Sequence, residues 1–233
     1  MQYLKLPIDS FKPTAGYKNA KYKSSWGYSH YGVDCVSASG SRNLYGLGDG
    51  IVVAAGLDGL NGKTTGKGSG CGFCLVVVYE DCYDRISKES YNVVATYMHM
   101  KAMPLVKKGD KVTGKTLLGY YGNTGANTTG PHLHIQFDKD TKYPLYCCGL
   151  AAAGHNLLKK GTVDSTVDPV RLFHIGKGQK VTAPSSAWYD RWDFLGIPEI
   201  PTTADKIIEA IKESPVVKKV VEKSKGVTVV TYD

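Results

Sequence analysis

Two short segments that carry histidine, far apart along this 233-residue chain, constrain its fold more than any other feature. His30–Asp34 reads His-Tyr-Gly-Val-Asp, and Gly130–His134 reads Gly-Pro-His-Leu-His. A hydrolytic zinc site takes three protein ligands from histidine, aspartate or glutamate and keeps a fourth position for water. If both segments serve one such site, the chain has to fold so that they lie side by side.

The spacing within the second segment predicts that two imidazoles share one cleft. His132 and His134 are separated by one residue, and side chains in a β-strand alternate between its two faces. Both imidazoles therefore point the same way, so one can bind a metal while the other stays free for proton transfer. His99, which follows Tyr97 and Met98, adds a further imidazole. This combination indicates a metal-dependent hydrolase.

The same segments resemble the lysostaphin-type zinc endopeptidases, peptidase family M23, which cut peptide cross-links in bacterial peptidoglycan. The resemblance lies in His-x-Gly-x-Asp, Tyr-x-His, Gly-Asn-Thr-Gly and Thr-Gly-Pro-His-Leu-His, which follow the family's order from about His30 to Asp168 and Pro169. It implies a mainly β fold, in which an antiparallel β-sheet forms the catalytic domain and long loops form the cleft. Peptidoglycan is the implied partner.

The resemblance also implies roles for five side chains. His30, Asp34 and His134 would bind one zinc ion per chain. His99 and His132 would be the catalytic imidazoles, because neutral imidazole titrates near the working pH of most enzymes. Zinc lowers the pKa of a bound water toward about 7 and polarises a carbonyl group. Since every position of the motif is filled, we expect a catalytically competent enzyme.

Two other functions stay open at this point. The first alternative is a non-catalytic wall-binding or virion structural module that keeps the same fold. The second is a zinc hydrolase of another peptide, such as a bacteriocin-like factor. The complete set of five side chains favours catalysis, because a binding module has no use for two uncoordinated histidines beside a metal.

The distribution of β-forming residues predicts a mainly β catalytic domain over residues 1–176. Short runs rich in Val, Ile, Leu, Tyr and Thr are separated by Gly, Asp, Asn and Lys, as in a sheet with variable loops. Residues 1–28 are expected to form an extended lead-in beside the cleft. The predicted strands are Gly50–Ala55, Cys74–Tyr79, Tyr91–Met98, Thr116–Tyr121 and Leu133–Phe137.

The composition changes after the predicted domain, and residues 177–233 are expected to form a linker and a small α/β appendage for targeting or interaction. The aromatic cluster around Trp188 is expected to pack against other residues rather than to bind glycan. The tail is predicted to contain a linker at Pro184–Ser186, a short helix capped by Thr203, further helical turns at Val216–Lys223 and a strand at Val227–Thr231.

The formal net charge of +8 predicts a basic surface, which an anionic bacterial wall would attract. We expect no nucleic-acid partner, because no dense Lys/Arg block with interleaved aromatics is visible. No apolar run approaches the roughly 18 residues of a membrane span. The N-terminus lacks the pattern of a signal peptide. We therefore expect a phage or prophage endolysin-like protein, made in the cytoplasm and released by a phage-type route, or a virion component.

The sequence also suggests roles for several other residues. Gly32 is expected to let the backbone turn between the first two zinc ligands. Cys71 and Cys74 form a Cys-x-x-Cys pair, but its context is not that of a redox or structural-zinc motif, so free thiols are expected. Asp138 is a weak candidate for orienting a ligand imidazole. Cys35 is expected to be structural, and His155 and His174 are expected to be ordinary surface or loop residues. Buried or half-buried free thiols are expected for the cysteines, including Cys82, Cys147 and Cys148.

Overall fold

The computed structural model describes residues 1–57, 70–144, 163–184, 186, 188–189, 196–202 and 204–206, and the backbone of 219–223 and 226–230. Two compact units divide the chain, Met1–Pro198 and Glu199–Asp233. The protein is mainly β, as predicted. No helix in these described ranges has the length and apolar character of a membrane span.

The strands of the described residues and one short α-helix account for most of the regular structure. In chain order they are β1 (Leu4–Lys5), β2 (Ser10–Ala15), α1 (Ala20–Trp26), β3 (Gly32–Ser37), β4 (Asn43–Tyr45), β5 (Gly50–Leu57), β6 (Phe73–Tyr83), β7 (Ser90–Met100), β8 (Lys111–Val112), β9 (Leu117–Tyr120), β10 (Leu133–Asp138), β11 (Thr166–Val167), β12 (Phe173–His174), β13 (Lys180–Val181), β14 (Lys219–Lys223) and β15 (Gly226–Val230).

Nine of the described strands form the main sheet of the first unit. Their order is β13-β2-β3-β10-β7-β6-β5-β8, and β11 also pairs with β10. Every pairing is antiparallel except that of β13 with β2. The five predicted strands correspond to β5, β6, β7, β9 and β10, which confirms those predictions. Strand β9 lies outside the main sheet and pairs with β4.

The alternation of side chains in β3 and β10 separates the hydrophobic core from the metal-ligand candidates. In the antiparallel register, His134 faces Asp34 and Leu133 faces Cys35. Because successive side chains point to opposite faces of the sheet, one set lies in the core and the other set, which includes Asp34 and His134, lies on the opposite face. Cys35 is buried in that core, as expected of a structural cysteine. The core residues of the two strands are Val33, Cys35, Leu133, Ile135 and Phe137.

The first unit extends past the boundary that we expected at residue 176. Strand β13 pairs in parallel with Ser10 and Phe11. The Gln179 side chain donates hydrogen bonds to the carbonyl oxygens of Leu6 and Ile8, at 2.7 and 3.0 Å. Tyr189 and Ile197 are also buried in the main core. The change of composition near Lys177 therefore does not mark the structural boundary. No sequence pattern indicates β13, because a strand of two residues shows no alternation.

The N-terminal lead-in contains a helix that the sequence pattern did not predict. The Asn19 side chain caps α1 by accepting a hydrogen bond from the Tyr22 amide, and Gly27 ends the helix with a φ of 78°. Seven residues are too few for a clear helical period. His174 also differs from its expectation, because it is buried in β12 rather than lying on the surface or in a loop.

The second unit contains a hairpin where helical turns were predicted. Strands β14 and β15 pair antiparallel, which makes the helical prediction wrong for Lys219–Lys223 and confirms a strand over most of Val227–Thr231. Residues 204–206 are helical, and Thr202 provides a cap in a reciprocal pair with Asp205, whereas the predicted cap Thr203 lies outside the described residues. The rest of the predicted helix lies outside the described residues, as do Cys147, Cys148 and His155.

The contribution of residues 180–198 to the first unit can be tested with two shortened chains. A chain ending at Pro198 keeps the whole unit and serves as the reference. A chain ending at Gln179 loses β13 and the buried side chains of Tyr189 and Ile197, so its melting temperature should fall by about 5–10 °C. Calorimetry of both chains measures the difference. Equal melting temperatures would show that residues 180–198 add no stability.

Candidate metal centre

Three buried side chains from the two histidine-bearing segments bring their donor atoms together. His30 Nε2 lies 3.0 Å from Asp34 Oδ1 and 3.0 Å from His134 Nδ1, and the last two atoms are 2.8 Å apart. Among the described residues this is the group of histidine, cysteine and carboxylate side chains with the geometry to bind a metal ion. The structure therefore brings together all three predicted ligands.

Gly32 is required by close packing between two strands and not by a turn. It lies inside β3, and its φ is not among the positive values in the described chain. A Cβ atom at this position would lie 2.3 Å from the Ile135 carbonyl oxygen and 2.7 Å from His134 Nε2. The expected role of Gly32 as a turn residue is wrong. Its missing side chain makes room for the His134 ring.

Hydrogen bonding fixes the tautomer of the first histidine ligand. His30 Nδ1 lies 2.9 Å from the Gly16 carbonyl oxygen, which can only accept, so Nδ1 carries the proton. His30 Nε2 then offers a lone pair to the centre. The Gly16 amide in turn donates to the Trp188 carbonyl oxygen at 2.9 Å. Residues before and after the two motifs thus hold the ligand imidazole in place.

The donor set fits a zinc ion. Zinc prefers nitrogen and carboxylate oxygen at about 2.0–2.2 Å, and a tetrahedral site then places its ligand atoms ~3.4 Å apart. The three donor atoms here are 2.8–3.0 Å apart, so shifts of a few tenths of an ångström would admit the ion. A metal ion shared by the two ring nitrogens and the carboxylate oxygen would satisfy all three at once, since a single proton bridges only two of them.

Electrostatics keep the carboxylate ionised. Burial alone would raise the pKa of Asp34, but the nearby His30 and His132 hold that pKa well below its usual value. Burial likewise disfavours protonation of His30, yet the Asp34 carboxylate outweighs it and raises the pKa of His30. Burial lowers the pKa of His134. The centre therefore favours a positive charge beside Asp34, which a metal ion provides.

The two predicted catalytic imidazoles flank these three side chains. Their ring centroids are 5.0 Å apart, and His132 Nε2 lies 3.6 Å from Asp34 Oδ1. His132 Nδ1 bonds the Gly130 carbonyl oxygen at 2.8 Å, and His99 Nδ1 bonds the Thr124 carbonyl oxygen at 2.9 Å. In both rings the proton is on Nδ1, so Nε2 is the basic nitrogen.

A left-handed backbone conformation turns His99 toward the cleft. Met98 faces His134 across the sheet, so a regular strand would direct the next side chain to the opposite face. His99 instead has a φ of 59°, which costs a non-glycine residue about 1–3 kcal/mol. Its amide donates to the Cys71 carbonyl oxygen, and its carbonyl oxygen accepts from the Gly122 amide. These bonds hold the conformation that lets Met98 and His99 line the same cleft.

Burial and the neighbouring imidazoles lower the pKa of His99 to about 4. Burial is the larger cause, and His132 and His134 add to it because each disfavours a second positive charge nearby. The ring is therefore neutral at neutral pH. A neutral imidazole with a free Nε2 can accept a proton, which suits the role predicted for His99.

The sequence contains no signal for the groups that orient the histidines. Three backbone carbonyl oxygens do so, and a carbonyl group leaves no signal in the residue types. Asp138, the weak candidate for that role, instead accepts hydrogen bonds from Gln136 and Ser165. Tyr22 was also missed. Its ring lies against the His30 ring, with centroids 4.4 Å apart, and the short helix α1 places it there.

The Cys-x-x-Cys pair lies beside the cleft and does not form a disulfide. Cys71 and Cys74 are both free thiols, as expected, and Cys71 lines the cleft together with His99. The Cys71 carbonyl oxygen accepts a hydrogen bond from the His99 amide at 2.9 Å. The visible role of this segment is to support the backbone of His99.

Comparison with known proteins points to one family. Residues 28–144, half of the chain, match the family model described as peptidase family M23. The matched range contains all five predicted site residues. Tyr22, Gly16 and Trp188, which support His30 from outside, lie beyond it.

Individual relatives are more distant. An uncharacterized metalloprotease of Buchnera aphidicola subsp. Baizongia pistaciae (strain Bp) is 34% identical over 107 residues, which cover 46% of this chain and 22% of that protein. The matched part thus spans about a fifth of the relative's length.

Among solved structures, the SpoIIQ-SpoIIIAH pore forming complex matches with 15% identity, a TM-score of 0.48 and coverage of 74% and 92% of the two chains. The catalytic domain of lysostaphin from Staphylococcus simulans matches with 22% identity, a TM-score of 0.41 and coverage of 68% and 89%.

Replacing Gly32 with alanine tests the steric basis of the centre. The added Cβ would push β3 away from β10 where Asp34 faces His134, so zinc affinity should fall by about 10–100-fold, and the melting temperature should fall with it. Competition with a chelating dye and thermal unfolding measure both effects. Gly196→Ala is the control, since nothing lies within 4 Å of a Cβ there. Undiminished zinc affinity in Gly32→Ala would contradict the steric explanation.

Proposed function

This chain belongs to peptidase family M23, and from that membership we propose that it is a zinc-dependent endopeptidase that hydrolyses peptide cross-links of bacterial peptidoglycan. Peptidases of a metal-dependent family need a metal, a polarised carbonyl group and a proton for the leaving amine. The proposal therefore depends on whether the chain supplies groups for each of these tasks.

The observation that carries the proposal is the convergence of five side chains, three of them candidate metal ligands and two of them imidazoles that can transfer protons. His30, Asp34 and His134 present donor atoms that all lie within 4.8 Å of one another. His99 and His132 stand next to them, and each has Nδ1 bound to a carbonyl oxygen. A site that only bound metal for structure would be closed by a fourth ligand. Two additional imidazoles with a basic Nε2 support catalysis.

Zinc bound by His30, Asp34 and His134 would supply a water of lowered pKa and a Lewis acid for the scissile carbonyl group. The neutral imidazole of His99 is suited to take up a proton at Nε2. His132 Nε2, which lies 3.6 Å from Asp34 Oδ1, is positioned to pass a proton to the leaving amine. Each ring keeps its orientation through its Nδ1 hydrogen bond while the proton moves at Nε2.

The charge of the chain supports peptidoglycan as the substrate. A formal net charge of +8 favours association with an anionic wall through long-range attraction. The route to the wall belongs to the same proposal, and we propose phage-type release or delivery as part of a virion. A non-catalytic wall-binding module is the rival function, and the activity measurement below distinguishes the two.

Three alanine variants separate metal binding from proton transfer. His134→Ala should lose both zinc and hydrolysis, because it removes a ligand. His99→Ala and His132→Ala should keep one zinc per chain but lose about 10²–10⁴-fold in hydrolysis, because each removes a proton-transfer group. Elemental analysis gives the zinc content, and mass spectrometry of digested peptidoglycan gives the rate.

His132 and His134 form a matched pair, since they are two residues apart on the same cleft. Full zinc occupancy in His134→Ala would overturn the ligand assignment. Hydrolysis at the parent rate by His99→Ala or His132→Ala would overturn that residue's catalytic role. A parent protein that binds zinc and peptidoglycan, yet releases no fragments from walls of several cross-link types, would favour the non-catalytic module.

A further inference from the structure

Aromatic side chains surround the candidate metal centre on one side. Tyr22, Trp26, Tyr28 and Trp188 form what we call the aromatic patch. Tyr22 is central: its ring centroid lies 6.3 Å from that of Trp26, 5.9 Å from that of Tyr28 and 5.9 Å from that of Trp188. Trp26 and Trp188 are 6.2 Å apart. Since Tyr22 also lies against His30, the patch is continuous with the centre.

Packing explains only part of this patch. Tyr22 is buried, and its contacts with His30 account for its position. Trp26 is 42% exposed and Tyr28 is 43% exposed, although both rings would gain free energy by leaving water. Exposed aromatic residues grouped at a cleft commonly mark a ligand site. Helix α1 is only seven residues long, yet it and the residues after it present both rings to solvent beside the centre.

The cleft that contains the patch is polar elsewhere. The same lining includes Asn127, Thr128 and Thr129 together with the histidines of the centre. Asn127 and Thr129 are exposed, so their amide and hydroxyl groups are available to a ligand. Among the described lining residues, Asp34 is the acidic side chain, and it belongs to the centre. A ligand of this cleft must therefore combine an apolar face with uncharged hydrogen-bonding groups.

We propose that the exposed rings of the aromatic patch, Trp26 and Tyr28, bind a sugar ring of the glycan to which the cleaved peptide is attached. Trp188 packs against Tyr22 and Trp26. A pyranose has a flat C–H face that can lie on an aromatic ring, and hydroxyl groups at its edge that can bond to amide and hydroxyl side chains. An aliphatic peptide side chain would not use the polar residues, and a charged one would meet no opposite charge among them. This inference rests on the proposed function and names the substrate as glycan-linked peptide.

Two matched substrates test the proposal with the full chain and its zinc. One is a cross-linked peptidoglycan fragment that carries its disaccharides, and the other is the same peptide after an amidase has removed the sugars. The parent protein should cleave the sugar-bearing fragment with a kcat/KM about tenfold higher, as expected for burying one sugar face. In Trp26→Ala the ratio of kcat/KM for the sugar-bearing fragment to kcat/KM for the sugar-free fragment should fall to about one. Trp26→Tyr, which keeps an aromatic face, should retain most of this preference.

Two further variants complete the test, one as a second test residue and one as a control. Tyr28→Ala should also reduce the ratio, and it decides the matter if Trp26→Ala does not fold with one zinc per chain. Tyr143→Ala removes a tyrosine of similar exposure, 38%, that is not among the described lining residues of the cleft, and its ratio should equal the parent's. A parent ratio near one, or an unchanged ratio in Trp26→Ala and Tyr28→Ala, would overturn the proposal.

The proposed function can fail separately. If neither fragment is cleaved, calorimetric titration of the sugar-bearing fragment still decides the inference. Binding that weakens about tenfold in Trp26→Ala supports the sugar site. Equal binding of both fragments would instead indicate that the patch holds the peptide, and no binding of either would leave the patch as a surface for some other apolar partner. Both of these results overturn the proposal.

Discussion

The antiparallel pairing of β3 with β10 is the constraint on which the rest of the site depends. It sets Asp34 directly opposite His134, and the close approach at Gly32 leaves room for the imidazole between the strands. A slip of β10 by one residue would turn His134 toward the core and bring Leu133 to the cleft. The burial of the alternate residues in a hydrophobic core therefore fixes the register, and the register fixes the metal centre.

Once the register is set, the remaining groups of the site are held by backbone atoms. The carbonyl oxygens of Gly16, Thr124 and Gly130 each bond one histidine Nδ1, which leaves the Nε2 atoms of His30, His99 and His132 with a lone pair. His99 reaches the cleft through a strained left-handed conformation that two backbone hydrogen bonds maintain. Strain of this kind persists only where the surrounding structure supports it. The site is thus prepared before substrate or metal arrives.

The sequence predicted those parts of this arrangement that depend on residue types and hydrophobic patterns. Four strands of the main sheet, β5, β6, β7 and β10, were predicted because their hydrophobic runs alternate with turn residues, whereas β2 and β3 of the same sheet were not predicted. The five side chains of the site were recognisable because chemistry restricts their types and the family resemblance supplies their roles. Side-chain types alone could not reveal the supporting carbonyl groups, because every residue has one.

Short elements stabilised by distant contacts are among those that the sequence patterns did not predict. Helix α1 depends on the Asn19 cap and on the packing of Tyr22 against His30. Strand β13 has two residues and depends on its pairing with β2. His174 matches no sequence motif, and it is buried in β12, which pairs with β1, beside the rings of Tyr3 and Tyr83. In these elements tertiary contacts accompany a weak local preference.

The central proposal is that His30, which precedes β3, joins Asp34 and His134 of the paired strands β3 and β10 in one zinc site. Diffraction from crystals grown with zinc, recorded on both sides of the zinc absorption edge, tests it most directly. The account predicts one anomalous peak per chain, bound by His30 Nε2, Asp34 Oδ1 and His134 Nδ1, with a fourth position left to solvent. A peak at Cys71 and Cys74 with none between the histidines, or a fourth protein ligand closing the site, would contradict it.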